Sequence, residues 1–484
     1  MLRSGPTRAT PVAAAKDFAA SAIRLPWPVK FYLLMIYLPI EFNAGPMRMT
    51  GIRMMLILMI VPMLINLLRG KYGPVIVTDI LFFLFCPWAI YTLSINNPDQ
   101  AISFGGSVAV EFFGGYLLAR AYIRSEETFI AMAKGLFFVI FMTLPFALFE
   151  SQTGRALIPE TINKLPFFFS LDDFYNELAG VRLGLERAQV IFAHPIHYGL
   201  FCSTAFALAL MGFKGVYSNA FRYLVSFQVA LGVFLSLSSG ALLPMVIQIG
   251  LIVWAVMLKQ VKARWLILLG LASVAYVVVD ALSNRTPMQV FMSYATFSPH
   301  NAYWRALIFE WGMKNVWANP IVGLGLNEWV RPWFMHSGSM DNFWLLNAVR
   351  YGIPGFLLMA IGYAIPFIKI AFRRIDEASL LWQLRRAWTI TLFGLALSLS
   401  TVDVWGTMFS FVAFILGSGI WMLTAQPSEV GAAATSEPEP ERKIGWSRGQ
   451  LARETADGAS PYTRFSQSRT PPADRPQGPA KRRR

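Results

Sequence analysis

Charged residues are scarce in this chain: Asp, Glu, Lys and Arg make up 14% of its 484 residues, against 55% hydrophobic residues. A soluble chain of this length normally carries about a quarter charged residues, so the composition argues against a soluble multidomain protein. The apolar residues form blocks of roughly 20 rather than alternating segments of roughly 10, which favours membrane-spanning helices over barrel strands. The composition therefore indicates an all-α, polytopic integral membrane protein.

Cysteine and histidine are also rare, with 2 and 4 copies. Cys86 and Cys202 lie within apolar segments, so the sequence indicates neither a disulfide framework nor a CxxC metal site. His194 and His197 are spaced like two metal ligands, but Pro195 favours a helix start there and no acidic cluster lies nearby. We therefore expect no metal and no other cofactor. A hydrogen bond to substrate, or packing at a helix start, is the expected role of both histidines.

The net charge of +15 is not the signature of a nucleic-acid binder, because of where the positive charges lie. Many Lys and Arg residues occupy short loops between apolar blocks, and eleven follow Ala425. This distribution obeys the positive-inside rule and predicts that both termini are cytoplasmic. Residues 1–29 are then a basic lead-in, and 425–484 are a disordered basic tail that contacts anionic lipid.

About twelve spans are expected from the lengths and flanks of the apolar blocks. They are 30–43, 51–68, 78–95, 101–119, 129–149, 190–213, 221–237, 240–258, 265–282, 343–370, 387–401 and 404–424. Two predicted outer loops, 150–186 and 283–341, are too long to be simple connectors. Within the second, apolar residues at helical spacing over 303–316 predict an amphipathic helix, which could lie along the membrane–water interface.

Several arginines stand on the predicted outer side, against the positive-inside rule. They are Arg182, Arg187, Arg285, Arg305, Arg331 and Arg350. One such arginine could snorkel or pair with an acid, but several converging from different loops suit phosphate oxygens, because the planar guanidinium binds them with two hydrogen bonds. A lipid-linked pyrophosphate is a prominent polyanion at that face.

Asp341 and Asn342 lie where the long loop meets the tenth predicted span, and Arg350 follows nine residues later. Asp341 could cap that helix, or it could act as a general base toward a hydroxyl nucleophile. The stretch "LSLSSGALLPM" at 235–245 predicts a tight Ser/Gly turn between two spans.

Three stretches together resemble the O-antigen ligase/polymerase superfamily, which includes Wzy-type polymerases and WaaL-type ligases. They are "RAQVIFAHPIHYG", "YWRALIFEWGMKNVWANPIVGLG" and "DNFWLLNAVRYGIPG". The resemblance covers roughly residues 30–424. It implies a GT-C-like membrane glycosyltransferase, inverting and metal-independent, whose donor is a glycan on undecaprenyl pyrophosphate.

The resemblance also implies roles for individual residues. Arg187 and Arg305 would hold the pyrophosphate leaving group, and Asp341 would serve as the base. The other candidates, all for substrate binding, are Arg350, Arg285, His194, His197, His300, Asn342 and Tyr303. Ligases of the family typically carry His at the position of Asp341, and "SRG" is frequent where this chain has Ser239 in "SSG". The first difference favours a polymerase.

The leading hypothesis is a polymerase at the periplasmic face of the bacterial inner membrane, which joins lipid-linked repeat units into an exopolysaccharide or O-antigen. The alternatives are a ligase that transfers glycan to lipid A-core or protein, a flippase for the lipid-linked glycan, and a non-catalytic scaffold of an export complex. Expected partners are the lipid-linked oligosaccharide, membrane lipids and a polysaccharide co-polymerase. Nucleic acid is not expected.

Overall fold

The computed structural model describes residues 24–44, 47–169, 180–294 and 299–426, without the side chains of residues 47, 288, 292–294 and 299–302. The tail predicted at 425–484 and most of the lead-in lie outside these ranges. The helices are α1 Trp27–Tyr37, α2 Gly51–Leu68, α3 Val77–Asn96, α4 Gly106–Tyr122, α5 Glu126–Thr153, α6 Leu157–Ile162, α7 Pro195–Ser203, α8 Asn219–Leu235, α9 Ser239–Met257, α10 Arg264–Leu282, α11 Pro287–Tyr294, α12 Pro299–Ala318, α13 Phe343–Ala371, α14 Leu380–Ser398 and α15 Gly406–Gly417. Two antiparallel hairpins pair β1 Glu41–Ala44 with β2 Met47–Thr50, and β3 Val181–Arg182 with β4 Leu185–Glu186.

Nine helical segments of the described part are long and apolar enough to cross a membrane, and each coincides with a predicted span. They are Gly51–Leu68, Val77–Asn96, Pro98–Tyr122, Glu126–Thr153, Pro195–Gly212, Ser239–Met257, Arg264–Leu282, Phe343–Ala371 and Gly406–Leu423. The prediction of a multi-pass helical membrane protein is therefore confirmed. The total of twelve spans stays a prediction.

The remaining three predicted spans differ from the structure in informative ways. The block 221–237 largely coincides with the 17-residue apolar helix α8, and 387–401 overlaps α14, which begins earlier, at Leu380, and ends at Ser398. The prediction for 30–43 is wrong in its second half. There α1 ends at Tyr37, and β1 begins at Glu41. Pro39 lacks an N–H and disfavours a helical residue before it, so the apolar block does not continue as helix.

The apolar interior contains a helix break that a buried side chain repairs. α7 ends at Ser203, and a π-helical turn begins at Leu208. Backbone groups left unpaired in an apolar interior cost several kcal/mol each. Gln248 of α9, fully buried, accepts a hydrogen bond from the Ala207 N–H at 3.0 Å and donates to the Ser203 carbonyl at 2.9 Å. The Gln248 amide thus supplies hydrogen-bond partners to backbone groups on both sides of the break.

A second break divides α13 into two helical halves at Gly352, where φ is 71° and ψ is 177°. The break frees the carbonyl oxygens of Val349 and Arg350 from their helical partners. They accept hydrogen bonds from the N–H groups of Leu324 and Gly325, at 2.7 and 3.0 Å. The loop segment 320–326 therefore caps the first half of α13.

This contact between the loop and α13, which we call the glycine clasp (residues 320–326 and 349–352), requires glycine on both sides. A Cβ at Gly352 would overlap the carbonyl oxygen of Ile321, and a Cβ at Gly323 would lie 2.5 Å from that of Arg350. The backbones of the "NPIVGLG" and "RYGIPG" stretches thus pack directly against each other. Their packing fixes the end of the half-helix that carries Arg350.

Helix α12 confirms the helix predicted at 303–316, but its apolar side does not lie free on a membrane surface. Trp304, Ile308 and Trp311 belong to a small second core, which also contains Leu345 of α13 and Trp329 of the long loop. This side is therefore packed against protein, because α13 and the loop offer a partner that the local periodicity does not reveal.

We expect Gly352→Ala to lower the thermal stability of the detergent-solubilised protein. The positive φ alone should cost about 1–3 kcal/mol, and the overlap with Ile321 adds to this. Gly270→Ala is the matched control, because Gly270 lies within a helix and a Cβ there meets no atom within 4 Å. Equal melting temperatures of the two variants would contradict the clasp.

Candidate functional site

Three arginines, two from the β3–β4 hairpin region and one from α12, meet at the turn 236–240, where α8 ends and α9 begins. The guanidinium groups of Arg182 and Arg187 donate hydrogen bonds to carbonyl oxygens of this turn, at 2.9 and 3.4 Å. A Cβ at Gly240 would lie 3.6 Å from Nη2 of Arg305. We call these three side chains the arginine cluster. The structure thus brings together two of the predicted catalytic residues, Arg187 and Arg305.

The segment that carries Arg187 is held by the residues that follow it. The carboxylate of Glu150, near the end of α5, accepts hydrogen bonds from the backbone N–H groups of Gln189 and Val190, at 3.0 and 2.9 Å. The Ala188 N–H donates to the last carbonyl of α8 at 3.0 Å. These bonds fix the chain between the β3–β4 hairpin and α7 against the turn.

Arg182 reaches the same turn from the β3–β4 hairpin. Leu183 and Gly184, between the two strands, have φ of 55° and 77°, the backbone of a tight hairpin turn. The hairpin at the end of the predicted loop 150–186 thus brings a third arginine to the turn 236–240. In the sequence, Arg182 is one of several outer arginines, and no motif gives it a role.

The arginine cluster concentrates positive charge, with Arg187 and Arg305 buried and Arg182 exposed. Burial and the neighbouring Arg182 lower the pKa of Arg187 to about 10. Burial and Arg182 also lower the pKa of Arg305, while Asp341 opposes the shift. Both guanidinium groups remain protonated at neutral pH. Nη1 of Arg305, a residue only 7% exposed, has no hydrogen-bond partner among the described residues.

The N-terminus of α9, next to the arginine cluster, is a second feature that is favourable for anions. α9 begins at Ser239, and the side chain of its N-cap residue, Ser238, makes no capping hydrogen bond. The first N–H groups of a helix lack partners within the helix, and its dipole favours negative charge there. The predicted Ser/Gly turn is therefore the floor of a site whose charge and donors suit a multivalent anion.

Asp341 does not cap α13. Asn342 does, because its side-chain oxygen accepts a hydrogen bond from the Leu345 N–H at 3.0 Å. The Asp341 carboxylate accepts a bond from Ser339 Oγ at 2.8 Å and lies near enough to Arg305 to affect its pKa. The capping alternative for Asp341 is therefore wrong. The role shown for the buried Asn342 is structural.

Arg350 does not join the arginine cluster through any contact of the described residues. It lines a separate cavity of about 410 Å³ together with Asn347 and Asp403. Burial raises the pKa of Asp403 to about 7, against the opposing effect of Arg350, and Asp341 adds to the rise. Asp403 is the acidic residue that sequence reasoning missed, because a single acid between the predicted spans 387–401 and 404–424 carries no signal.

The two histidines predicted to bind substrate, His194 and His197, make contacts that stabilise the surrounding backbone. His194 caps α7, with Nδ1 accepting from the Ile196 N–H at 3.1 Å. His197 is buried, and its ring packs against Trp405 with a centroid distance of 4.1 Å. Its Nε2 lies 3.4 Å from the carbonyl oxygen of Asp403. His197 therefore positions the α14–α15 loop, while a substrate role for either ring stays a prediction.

The other candidates are not brought to the cluster by any described contact. Arg285 is exposed, with its backbone N–H bonded to Ser283. Arg331 pairs with Glu328, and the ring of Tyr303 is 58% exposed. The side chains of His300 and its neighbours lie outside the described part. Substrate roles for Arg285, Tyr303 and His300 stay predictions.

Comparison with known families agrees with the motifs. The model of the O-antigen ligase family matches residues 224–360, which contain the turn 236–240, α12 and the first half of α13. This match confirms the predicted resemblance to the O-antigen ligase/polymerase superfamily. No curated protein matches the chain.

We expect Arg305→Gln to leave the ligand-free protein as stable as the wild type or more so, because the variant removes a buried, incompletely partnered charge. It should also weaken stabilisation by inorganic pyrophosphate. A ligand at one hundred times its Kd stabilises a protein by about 2.7 kcal/mol. Thermal unfolding with and without pyrophosphate measures both effects.

Arg155→Gln serves as the control for that comparison, since Arg155 is exposed and pairs with Glu160. This variant should keep the full pyrophosphate shift. An Arg305→Gln protein that still shows the wild-type shift would contradict an anion site at the arginine cluster.

His194→Asn should make stability less dependent on pH. Burial, Arg187 and Arg182 lower the pKa of His194 from 6.5 to about 4, so the unfolded chain binds a proton more readily than the folded one. Stability contributed by this residue is complete above pH 6.5 and falls as the pH drops toward 4. Asn keeps a capping acceptor without titrating.

Melting temperatures of the two proteins between pH 4 and 6.5 test this expectation. The wild type should lose more stability than the variant over this range. Parallel curves would show that His194 does not titrate as its surroundings imply.

Proposed function

We propose that this member of the O-antigen ligase/polymerase superfamily is a polysaccharide polymerase of the bacterial inner membrane. It transfers undecaprenyl-pyrophosphate-linked repeat units onto one another at the periplasmic face. The observation that carries the proposal is the convergence of Arg182, Arg187 and Arg305 on the turn 236–240 at the start of α9. Nη1 of the buried Arg305 has no hydrogen-bond partner within the described part of the chain.

The arginine cluster suits a pyrophosphate leaving group. When the bond between the anomeric carbon and the phosphate oxygen breaks, the departing pyrophosphate gains negative charge. Preorganised cations and N–H groups stabilise such charge most effectively in a site shielded from water. Arg187 and Arg305 are both buried, and burial lowers their pKa, so a bound anion would favour their charged forms.

Asp341 is the proposed general base. Its carboxylate takes the proton from a hydroxyl of the acceptor sugar, and the hydroxyl oxygen then attacks the anomeric carbon of the donor. The pyrophosphate leaves with the bonding electrons, and this single displacement inverts the anomeric configuration. Asp341 is partly exposed, so the proton can pass from its carboxylate to solvent.

A polymerase is favoured over a ligase by the residue at position 341. Ligases of the family typically carry His there, whereas this chain has Asp. The family match itself is equally compatible with transfer to lipid A-core or protein. The two activities differ in the acceptor: a polymerase needs only a second lipid-linked repeat unit.

We expect Arg187→Ala, Arg305→Ala and Asp341→Asn each to reduce glycan transfer strongly. Loss of one group that stabilises a developing anion typically costs about 10²–10³ in kcat. Polymer yield and chain length in reconstituted vesicles supply the measurement, and Arg155→Ala is the control for an exposed arginine. Normal yield in all three variants would show that the protein is not this enzyme.

A transfer assay with different acceptors distinguishes a polymerase from a ligase. Vesicles that contain the protein and only lipid-linked repeat units should form a ladder of longer glycans. A ladder that never forms, together with transfer that starts when lipid A-core is added, would identify a ligase instead.

A further inference from the structure

Two adjoining cavities lie apart from the arginine cluster. One, of about 370 Å³, is bounded by the β1–β2 hairpin, and the other, of about 410 Å³, by the first half of α13. They share the residues Arg48, Arg53, Trp405 and Gly406, so we treat them as one space and call it the hairpin cleft. Its size falls within the range of small-molecule sites.

Charges in the wall between the two cavities are neutralised within the protein. Arg48 pairs with Glu41 across the hairpin, and Arg53 pairs with Glu111 of α4 at 2.8 Å. Because each arginine already has a carboxylate partner, this wall presents little net charge to a ligand.

Arg350 and Asp403 also line the hairpin cleft, but unlike the arginines of the wall they form no ion pair with each other among the described residues. The nearest aromatic contact of the Arg350 guanidinium is the ring of Phe104, at 5.7 Å. A donor and an acceptor therefore face one space without contacting each other. A sugar hydroxyl can fill such a gap, since it accepts one hydrogen bond and donates another.

Trp405 supplies an apolar surface in the same place. It lines both cavities, and 42% of the residue is exposed. The buried His197 packs edge-on against its ring and holds it in position. An aromatic face beside polar side chains matches a sugar, which has C–H groups on its ring faces and hydroxyls around its rim.

From these observations we infer that the hairpin cleft binds an uncharged sugar unit of the acceptor glycan, between the ring of Trp405 and the polar pair of Arg350 and Asp403. A uronic acid fits less well, because Arg350 and Asp403 already offset each other's charge and its carboxylate would add an uncompensated negative charge. The source of the sugar rests on the proposed function. Phe343, two residues after Asp341, lines the cleft, which places the cleft close to the proposed base.

Saturation-transfer NMR on the full-length protein in nanodiscs tests this inference. The probes are the methyl glycosides of glucose, galactose and N-acetylglucosamine, with methyl glucuronide as the charged comparison. We expect at least one neutral glycoside to bind more tightly than the glucuronide. Trp405→Ala and Asp403→Asn should each raise its Kd by about tenfold, the effect of losing one aromatic or charge-assisted contact.

Trp333→Ala is the matched control, because Trp333 is 89% exposed and does not line the cleft. It should leave the Kd unchanged. Melting temperatures identify variants that fail to fold, and Arg350→Gln then gives a second test of the polar pair. The inference is overturned if no neutral glycoside binds, or if Trp405→Ala and Trp333→Ala behave alike. It is also overturned if the cleft holds only phospholipid.

This outcome is separable from that of the proposed function. The pyrophosphate shift and the transfer assay depend on Arg187, Arg305 and Asp341, and glycoside binding depends on Trp405, Arg350 and Asp403. Transfer without glycoside binding would reject the sugar site alone. Glycoside binding without transfer would reject the enzyme and keep the sugar site.

Discussion

The meeting of three guanidinium groups, two of them buried, around one helix start is the constraint on which the rest of the site depends. Like charges held together in a poorly solvated place repel each other and lose hydration, so the fold must hold them there. Among the described residues, backbone groups do this. The Glu150 carboxylate accepts hydrogen bonds from the N–H groups that follow Arg187, and the β3–β4 hairpin carries Arg182 to the carbonyl oxygen of Leu237. The concentration of positive charge suits the site to an anion.

The glycine clasp fixes the half-helix that carries Arg350, which lines a cavity apart from this cluster. A continuous α13 would keep the carbonyls of Val349 and Arg350 within the helix, but the break at Gly352 directs them to the loop 320–326. Backbone packing of this kind is tolerated at membrane depth only where protein covers it. The clasp thereby fixes a short half-helix between two regions of different chemistry: the cationic cluster near Asp341, and the charge-balanced hairpin cleft that Arg350 lines.

Much of the fold, and part of the site, could be predicted from the sequence. Apolar blocks and their flanks located the nine helical segments that, within the described ranges, are long and apolar enough to cross a membrane, since this property depends on local length and hydropathy. The outer arginines stood out because they violate a local charge rule, and three of them, Arg182, Arg187 and Arg305, do meet. Asp403 and Trp405 carried no such signal: an acid and an aromatic residue in a short loop are ordinary until the tertiary contacts bring Arg350 and His197 beside them.

Local sequence was enough to indicate the class of protein, the position of its apolar helices and the motifs that resemble the O-antigen ligase/polymerase superfamily. Those properties depend on runs of neighbouring residues. Long-range packing determines which arginines converge, that Asn342 rather than Asp341 caps α13, and that the apolar side of α12 packs into a second core. Each of these outcomes depends on contacts between segments that are distant in sequence, such as Arg182 with Leu237 or Gly352 with Ile321. Helical periodicity does not indicate which distant segment a residue will contact.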